Sequence, residues 1–327
     1  MSSCLPTVVD ILRIDPELES QRIASSIRET LAGKLKRRGI VLGISGGVDS
    51  SVVAALCVQA VGKDRVVGLL MPEADSSGDS VALGRQLAES LRIQSILEDI
   101  TPALEGAGCY RRRDEAIRRV VPEYGRGYKS KIILPNLLEE AGYPIFSIVV
   151  QSPAGDTKKV RLSLDAYLGV VAATNFKQRV RKMFEYYHAD RLNFAVAGTP
   201  NRLEYELGFF VKNGDGAADL KPIAHLYKSQ VYQLAAVLGV PGEIQRRLPT
   251  TDTYSMEQSQ EEFYFNMPLA KMDACLYGKD HGVSPEELAP VVGFSPDQVA
   301  RAYSTIESKR KAARYLHLSS VLVSEVV

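Results

Sequence analysis

The chain has 327 residues, of which 45% are hydrophobic and 24% charged, with a formal net charge of +1. That is an ordinary globular composition, long enough to bury a sizeable core as one large or two small domains. It gives no global attraction to nucleic acid or membrane, and no apolar run approaches the length of a membrane span. The first residues carry acids where a secretion signal needs bases, so no such signal is expected. Cys4, Cys57, Cys109 and Cys275 form no C-x-x-C pair and suit neither zinc nor an iron–sulfur cluster. Scattered in this way they read as free thiols of a reducing cytosol, and a cytoplasmic location is expected.

In chain order, Ser20 to Lys36 reads as an amphipathic helix, because Ile23, Ile27, Leu31 and Leu35 recur at helical spacing, with Gly39 marking its end. Ile40 to Ile44 is a short apolar run typical of a buried parallel strand. A turn follows, then a helix through Val52, Val53, Leu56, Cys57 and Ala60 that Gly62 closes. Arg65 to Met71 is a second strand, Asp79 to Leu91 a helix and Ser95 to Ile100 a third strand. This alternation predicts an α/β fold with a doubly wound parallel sheet and flanking helices.

Between residues 101 and 164 the pattern breaks, and the segment reads as an insertion in a single domain spanning residues 1–327. Its arginine-rich piece, Arg111 to Arg119, suits a solvated helical face, a lid over phosphates or a surface for an acidic partner. Ile145 to Gln151 and Lys158 to Leu164 alternate and predict a β-hairpin. Helix and strand then resume at Asn175 to His188 and Asn193 to Ala197, and Lys228 to Leu238 is a further helix before Gly239 and Pro241. Residues 255–320 read as helical, with capping boxes at Ser284 to Glu287 and Ser295 to Gln298.

The stretch most informative about chemistry is Gly43-Ile44-Ser45-Gly46-Gly47-Val48-Asp49-Ser50, between a buried strand and a helix. Adjacent glycines let backbone approach a ligand, and backbone amides at a helix start make an anion site. Ser45, Ser50 and Ser51 add hydroxyl donors. Asp49 sets a carboxylate beside bound phosphates, where it suits a bridging magnesium ion. The turn is neither a Walker A loop, which needs a lysine after its glycines, nor a G-x-G-x-x-G fingerprint.

These residues resemble the ATP pyrophosphatase loop, which implies the adenine nucleotide alpha hydrolase-like fold and cleavage of ATP between its α and β phosphates. Later stretches are similar to ammonia-dependent NAD synthetases in particular: Asn175 to Arg181; Gly198-Thr199 with Glu204; Gly208 to Ile223; Lys228; and Pro249-Thr250-Thr251-Asp252. The resemblance implies that Gly43, Ser45, Gly46, Gly47, Asp49, Ser50, Thr199, Lys228 and Thr250 bind ATP. It implies that Asp49 and Glu204 hold magnesium, and that Asp49, Lys228 and Thr250 act in catalysis. It also implies that Arg179, Lys212 and Asp219 contact a small-molecule acid, nicotinic acid adenine dinucleotide. That acid would be adenylated and then amidated by ammonia in a homodimer. With no room for an amidase domain, free ammonia or a separate glutaminase chain is implied.

The pattern departs from that family at three places. Pro200-Asn201 stands where the family has Asp-His, the 101–164 segment is longer than expected, and Ser308-Lys309 replaces a His-Lys pair. Two alternatives follow: an amide ligase acting on a different carboxylic acid, and a tRNA-modifying pyrophosphatase. Missing cysteine pairs and near-neutral charge weigh against the latter and against nucleic acid as a partner.

Overall fold

The chain enters through Val8–Ile11 (α1) and Pro16–Glu29 (α2) in a computed structural model that describes residues 7–133, 146–250, 254–256, 258–265 and 267–324. Asp15 caps α2 and Pro16 takes its first turn, so the helix begins upstream of Ser20. A π-helical turn, Thr30–Leu35, prolongs it, and Lys36 in the left-handed region ends it, three residues before Gly39.

Ile40–Gly43 (β1), Val48–Val61 (α3), Val66–Leu70 (β2), Gly78–Leu91 (α4) and Gln94–Leu97 (β3) follow as successive strand–helix units. Next come Thr101–Gly106 (α5) and Cys109–Arg118 (α6). Lys129–Ile133 (β4), Ser147–Gln151 (β5) and Thr157–Arg161 (β6) form an antiparallel sheet in the order β4-β5-β6. β5 and β6 are the expected hairpin; β4 adds a third strand to it. Leu164–Leu192 (α7) is one helix of 29 residues, capped by Ser163, about 43 Å long at ~1.5 Å per residue. It therefore absorbs Leu164, expected in the hairpin, and starts well before Asn175.

Ala195–Val196 (β7) completes a parallel sheet in the order β3-β2-β1-β7. The remaining helices are Arg202–Leu207 (α8), Lys228–Val237 (α9), Gly242–Arg246 (α10), Leu269–Asp280 (α11), Pro285–Val292 (α12) and Pro296–His317 (α13). Both predicted capping boxes are formed, at Ser284 and Ser295.

β1 and β2 are wholly apolar because helices cover both sides of the sheet. One face packs against α2, α3 and α9, the other against α5, α6 and α7. A third core joins α11, α12 and α13, and a fourth lies under the antiparallel sheet. Cys57, Cys109 and Cys275 are buried in three different cores; Cys4 lies outside the described residues. No helix among the described residues is long and apolar enough to cross a membrane.

The arginine-rich piece lies in α6 and its C-terminal cap, and it is largely the expected solvated face: Arg111, Arg112, Arg118 and Arg119 are exposed, and only Arg113 is buried. Arg113 is buried against Asp75, Arg118 donates to the Tyr124 carbonyl, and Arg119 pairs with Asp165. Arg111 pairs with Glu115 one turn on.

Candidate active site

β1 ends at the glycine–serine turn, and α3 starts immediately beyond it. Gly46 has φ +74°, and a Cβ there would stand 2.9 Å from the Ser80 carbonyl, so only glycine fits without strain. The Ser50 and Ser51 hydroxyls donate to the Gly47 carbonyl at 3.0 and 2.9 Å and tie the turn to the helix. Ser45 Oγ accepts from the Gly47 amide at 3.3 Å. No side chain caps the start of α3, which leaves its amides facing a cavity of about 1100 Å³. That is the upper end of ligand-site sizes, room for more than one small molecule.

Gly43, Ser45, Gly47, Asp49 and Ser50 line this cavity from the turn, and Thr199, Glu204, Lys228 and Thr250 line it from later elements. Lys228 opens α9, is 2% exposed, and pairs with Asp49 Oδ2. Burial alone would lower its amine pKa, but the facing Asp49 and Glu204 carboxylates outweigh that and raise it. Asn201 Nδ2 donates to Asp49 Oδ1 at 3.1 Å. The same Asn201 caps α8: its Oδ1 accepts from the Glu204 amide, and its amide donates to Glu204 Oε2 at 3.1 Å. Gln260 donates to Glu204 Oε1 at 3.0 Å. Burial, then the neighbouring Asp49 charge, pushes the Glu204 carboxyl up to about 8. Two half-buried carboxylates thus face one ammonium, which pairs directly with Asp49.

Arg179 and Lys212 also line the cavity. Arg179 Nε donates to the Lys212 carbonyl at 3.3 Å, and Lys212 Nζ donates to the Tyr315 and Leu318 carbonyls at 2.9 Å each. Lys212 is therefore anchored at the end of α13, and Arg179 on the Lys212 backbone. Asp219 is not brought to this cavity: its carboxylate accepts from the Val196 amide at 2.8 Å and the Tyr186 hydroxyl at 3.3 Å, tying down the end of β7. Thr250 is exposed and bridges to Ser259; Thr251 and Asp252 lie outside the described residues.

Four further residues line or support the cavity without having been expected to. Asn201 carried a legible signal, a cap residue three before a glutamate, although its bond to Asp49 joins residues 152 apart in sequence. Arg247 reaches Ser77 and Ser80 at 3.2 and 3.0 Å beside the turn, and Gln260 fixes Glu204. Lys309 projects from α13 over the Tyr264 ring, with Nζ donating to the Tyr264 carbonyl at 2.9 Å. Burial pulls its amine down to about 7.

A parallel sheet, a glycine–serine turn at a helix start and a cavity with half-buried carboxylates define a nucleotide-binding α/β enzyme. A sequence profile of the family described as NAD synthase matches residues 19–118 and 145–314. The chain belongs to the NAD synthase family. It is 58% identical over 316 residues to the NH(3)-dependent NAD(+) synthetase of Mesorhizobium japonicum, covering 97% of this chain and 99% of that one. Two solved structures share the fold. The NMN synthetase from Francisella tularensis aligns with TM-score 0.66 at 22% identity, over 95% of this chain and 99% of its own. The NH3-dependent NAD synthetase from Campylobacter jejuni aligns with TM-score 0.61 at 20% identity, over 95% and 100%.

Proposed function

We propose that the protein amidates nicotinic acid adenine dinucleotide to NAD with ammonia, through an acyl-adenylate, releasing AMP and pyrophosphate. The observation that carries this reading is the cavity centre, where Asp49, Glu204 and Lys228 converge beside the phosphate-binding turn. It stands in a chain 58% identical, end to end, to a named NH(3)-dependent NAD(+) synthetase.

In this reading the amides of the turn and the start of α3 hold the ATP phosphates. Lys228 neutralises charge on the departing pyrophosphate. Arg179 and Lys212 hold the acid so that its carboxylate lies in line with the α-phosphorus, and positioning supplies most of the acceleration. Ammonia then attacks the activated carbonyl.

The centre suits magnesium. Among the described residues no cluster of three or more metal-ligating side chains exists, but magnesium takes one or two carboxylates and completes its shell with phosphate and water oxygens. Asp49 and Glu204 supply that pair, and the raised Glu204 carboxyl marks a site that a cation would relieve. When bound, the ion neutralises phosphate charge.

The test is direct. Purified protein with ATP, magnesium, ammonia and the dinucleotide acid is analysed by mass spectrometry. AMP, pyrophosphate and NAD are expected; ADP and phosphate, or no amide, would overturn the reading. Glutamine in place of ammonia is expected to give no amide unless a glutaminase is added. A calorimetric titration with a non-hydrolysable ATP analogue present separates the dinucleotide acid from another carboxylate. The protein is further read as a homodimer, because α7 exposes Leu164, Leu168, Met183 and Tyr187 along its length. A fully active monomer by light scattering would contradict that.

A further inference from the structure

α8 has six residues, too few to hold its place by its own hydrogen bonds. Yet it carries Glu204, which must meet Asp49 and Lys228 from distant parts of the chain. Its outer face bears Arg202 and Glu206, one turn apart, and both belong to a closed ring of four charges. Arg202 reaches Glu206 at 2.5 Å and Asp280 at 2.7 Å, while Arg310 reaches Asp280 at 2.7 Å and also pairs with Glu206. The charges balance two against two.

The ring joins two helices that line the cavity to a third, α11, that does not. α8 brings Glu204, and α13 brings several residues, among them Lys309, the residue before Arg310. The Arg202 guanidinium also lies 4.6 Å from the centre of the Tyr227 ring, the residue before Lys228. α11 is the common support. Its Asp280 holds Arg202 and Arg310. Its Asp273, two turns earlier on the same face, accepts from the Lys228 amide at 3.2 Å and from the Ser229 amide and hydroxyl at 2.7 Å each. α8 and α13 also approach closely: a Cβ at Gly208 would lie 2.9 Å from Ala313 Cβ.

We propose that α11 is the template of the active site, with Asp273 and Asp280 as positioning residues that hold α9, α8 and α13 and so set Lys228, Glu204 and Lys309 relative to one another. The proposal rests on the roles given above to Glu204 and Lys228. A partly exposed ion-pair ring contributes modestly to folding, whereas a displacement of about 1 Å in a reacting constellation costs ~100-fold in rate. Position and folding are therefore separable by experiment.

The experiment measures kcat, KM for ATP and the unfolding midpoint for Asp280→Asn, Arg310→Gln, the double variant and Asp280→Glu. The expected result is a fall in kcat of about tenfold or more, with KM for ATP within about twofold, in molecules that remain folded at the assay temperature. The double variant should be no slower than the slower single, because both break one ring, and Asp280→Glu should recover part of the rate. Single variants with kcat within about twofold of the parent, or losses that multiply and follow the folded fraction, would overturn the proposal. Should Asp280→Asn fail to fold, Arg310→Gln on α13 carries the same test. Glu204→Gln distinguishes the two levels. If it keeps full turnover, the assigned role of Glu204 fails; if it is inactive while Asp280→Asn and Arg310→Gln are normal, only the template fails.

Discussion

Two buried clusters of charge lie at the carboxyl ends of neighbouring strands, and they are balanced differently. Beyond β2, Lys177 is fully buried and donates to Glu73 at 3.0 Å and Asp75 at 2.7 Å, with Arg113 on Asp75 at 2.5 Å. Tyr110 donates its hydroxyl to Glu73 at 2.8 Å, and Asp114 meets Arg113 from the solvent edge. Inside, two cations face two carboxylates. Burial alone would raise the Asp75 carboxyl, but Lys177 and Arg113 outweigh it and hold the group below its ordinary range. Beyond β1, Asp49 and Glu204 face one cation, Lys228, and the Glu204 carboxyl moves the opposite way. A cluster whose charges close on themselves has no charge left for a ligand and costs the fold most when one partner is removed. One that leaves a carboxylate short of a partner is where the proposed function places a ligand.

That contrast can be broken by substitution. The largest effect is expected at the unbalanced cluster, where Asp49→Asn and Lys228→Met should each lower AMP release by about 10²–10³-fold or more with the fold retained. A Lys228→Met enzyme within about tenfold of the parent would remove the lysine from pyrophosphate stabilisation. At the balanced cluster the loss should fall on stability. Lys177→Met strands two buried carboxylates and should cost about 3–5 kcal/mol in denaturant unfolding, with a far smaller change in turnover per folded molecule.

The pH dependence of stability sharpens the same contrast. The folded-state value of Glu204, about 8, lies above its ordinary 4.5. The ligand-free fold therefore binds a proton that the unfolded chain releases, and stability from this source is lost as pH rises from 4.5 through about 8. Glu204→Gln should flatten that decline in the unfolding midpoint; an unchanged slope would show that Glu204 is ionised throughout. The smallest effect is expected at the turn. Gly46→Ala forces a positive φ and a contact 2.9 Å from the Ser80 carbonyl, costing about 1–2 kcal/mol and raising KM for ATP.

The turn was legible because strand, glycines, hydroxyls and helix lie within Ile40 to Ser51, and local signals decide each of them. The parallel sheet was legible for the same reason, through alternating apolar runs. β4 was not, since its five residues became a strand by pairing with β5 across a long gap in sequence. The full length of α7 was not, because Leu164 to Ala173 suits a buried strand or a helix equally and tertiary packing settles the matter. Lys309 stood in a departure from the family's tail pattern, and nothing near it in sequence shows that α13 would bury it over Tyr264. Asp219, expected at the substrate, has one carboxylate oxygen on the Val196 amide and the other on the Tyr186 hydroxyl, long-range partners that its neighbours in sequence do not show.

The buried cysteines carry a practical consequence. Burial pushes the thiols of Cys57, Cys109 and Cys275 up to about 12, 11 and 12, so at neutral pH almost none is present as the thiolate that alkylating reagents attack. Each sits in a different packed layer: Cys57 on α3 on one side of the parallel sheet, Cys109 on the other, and Cys275 among the C-terminal helices. Modification at any of them must wait for its own layer to open. Timed alkylation followed by peptide mapping would thus give three independent clocks on one molecule, and the order in which they run would show which layer comes apart first.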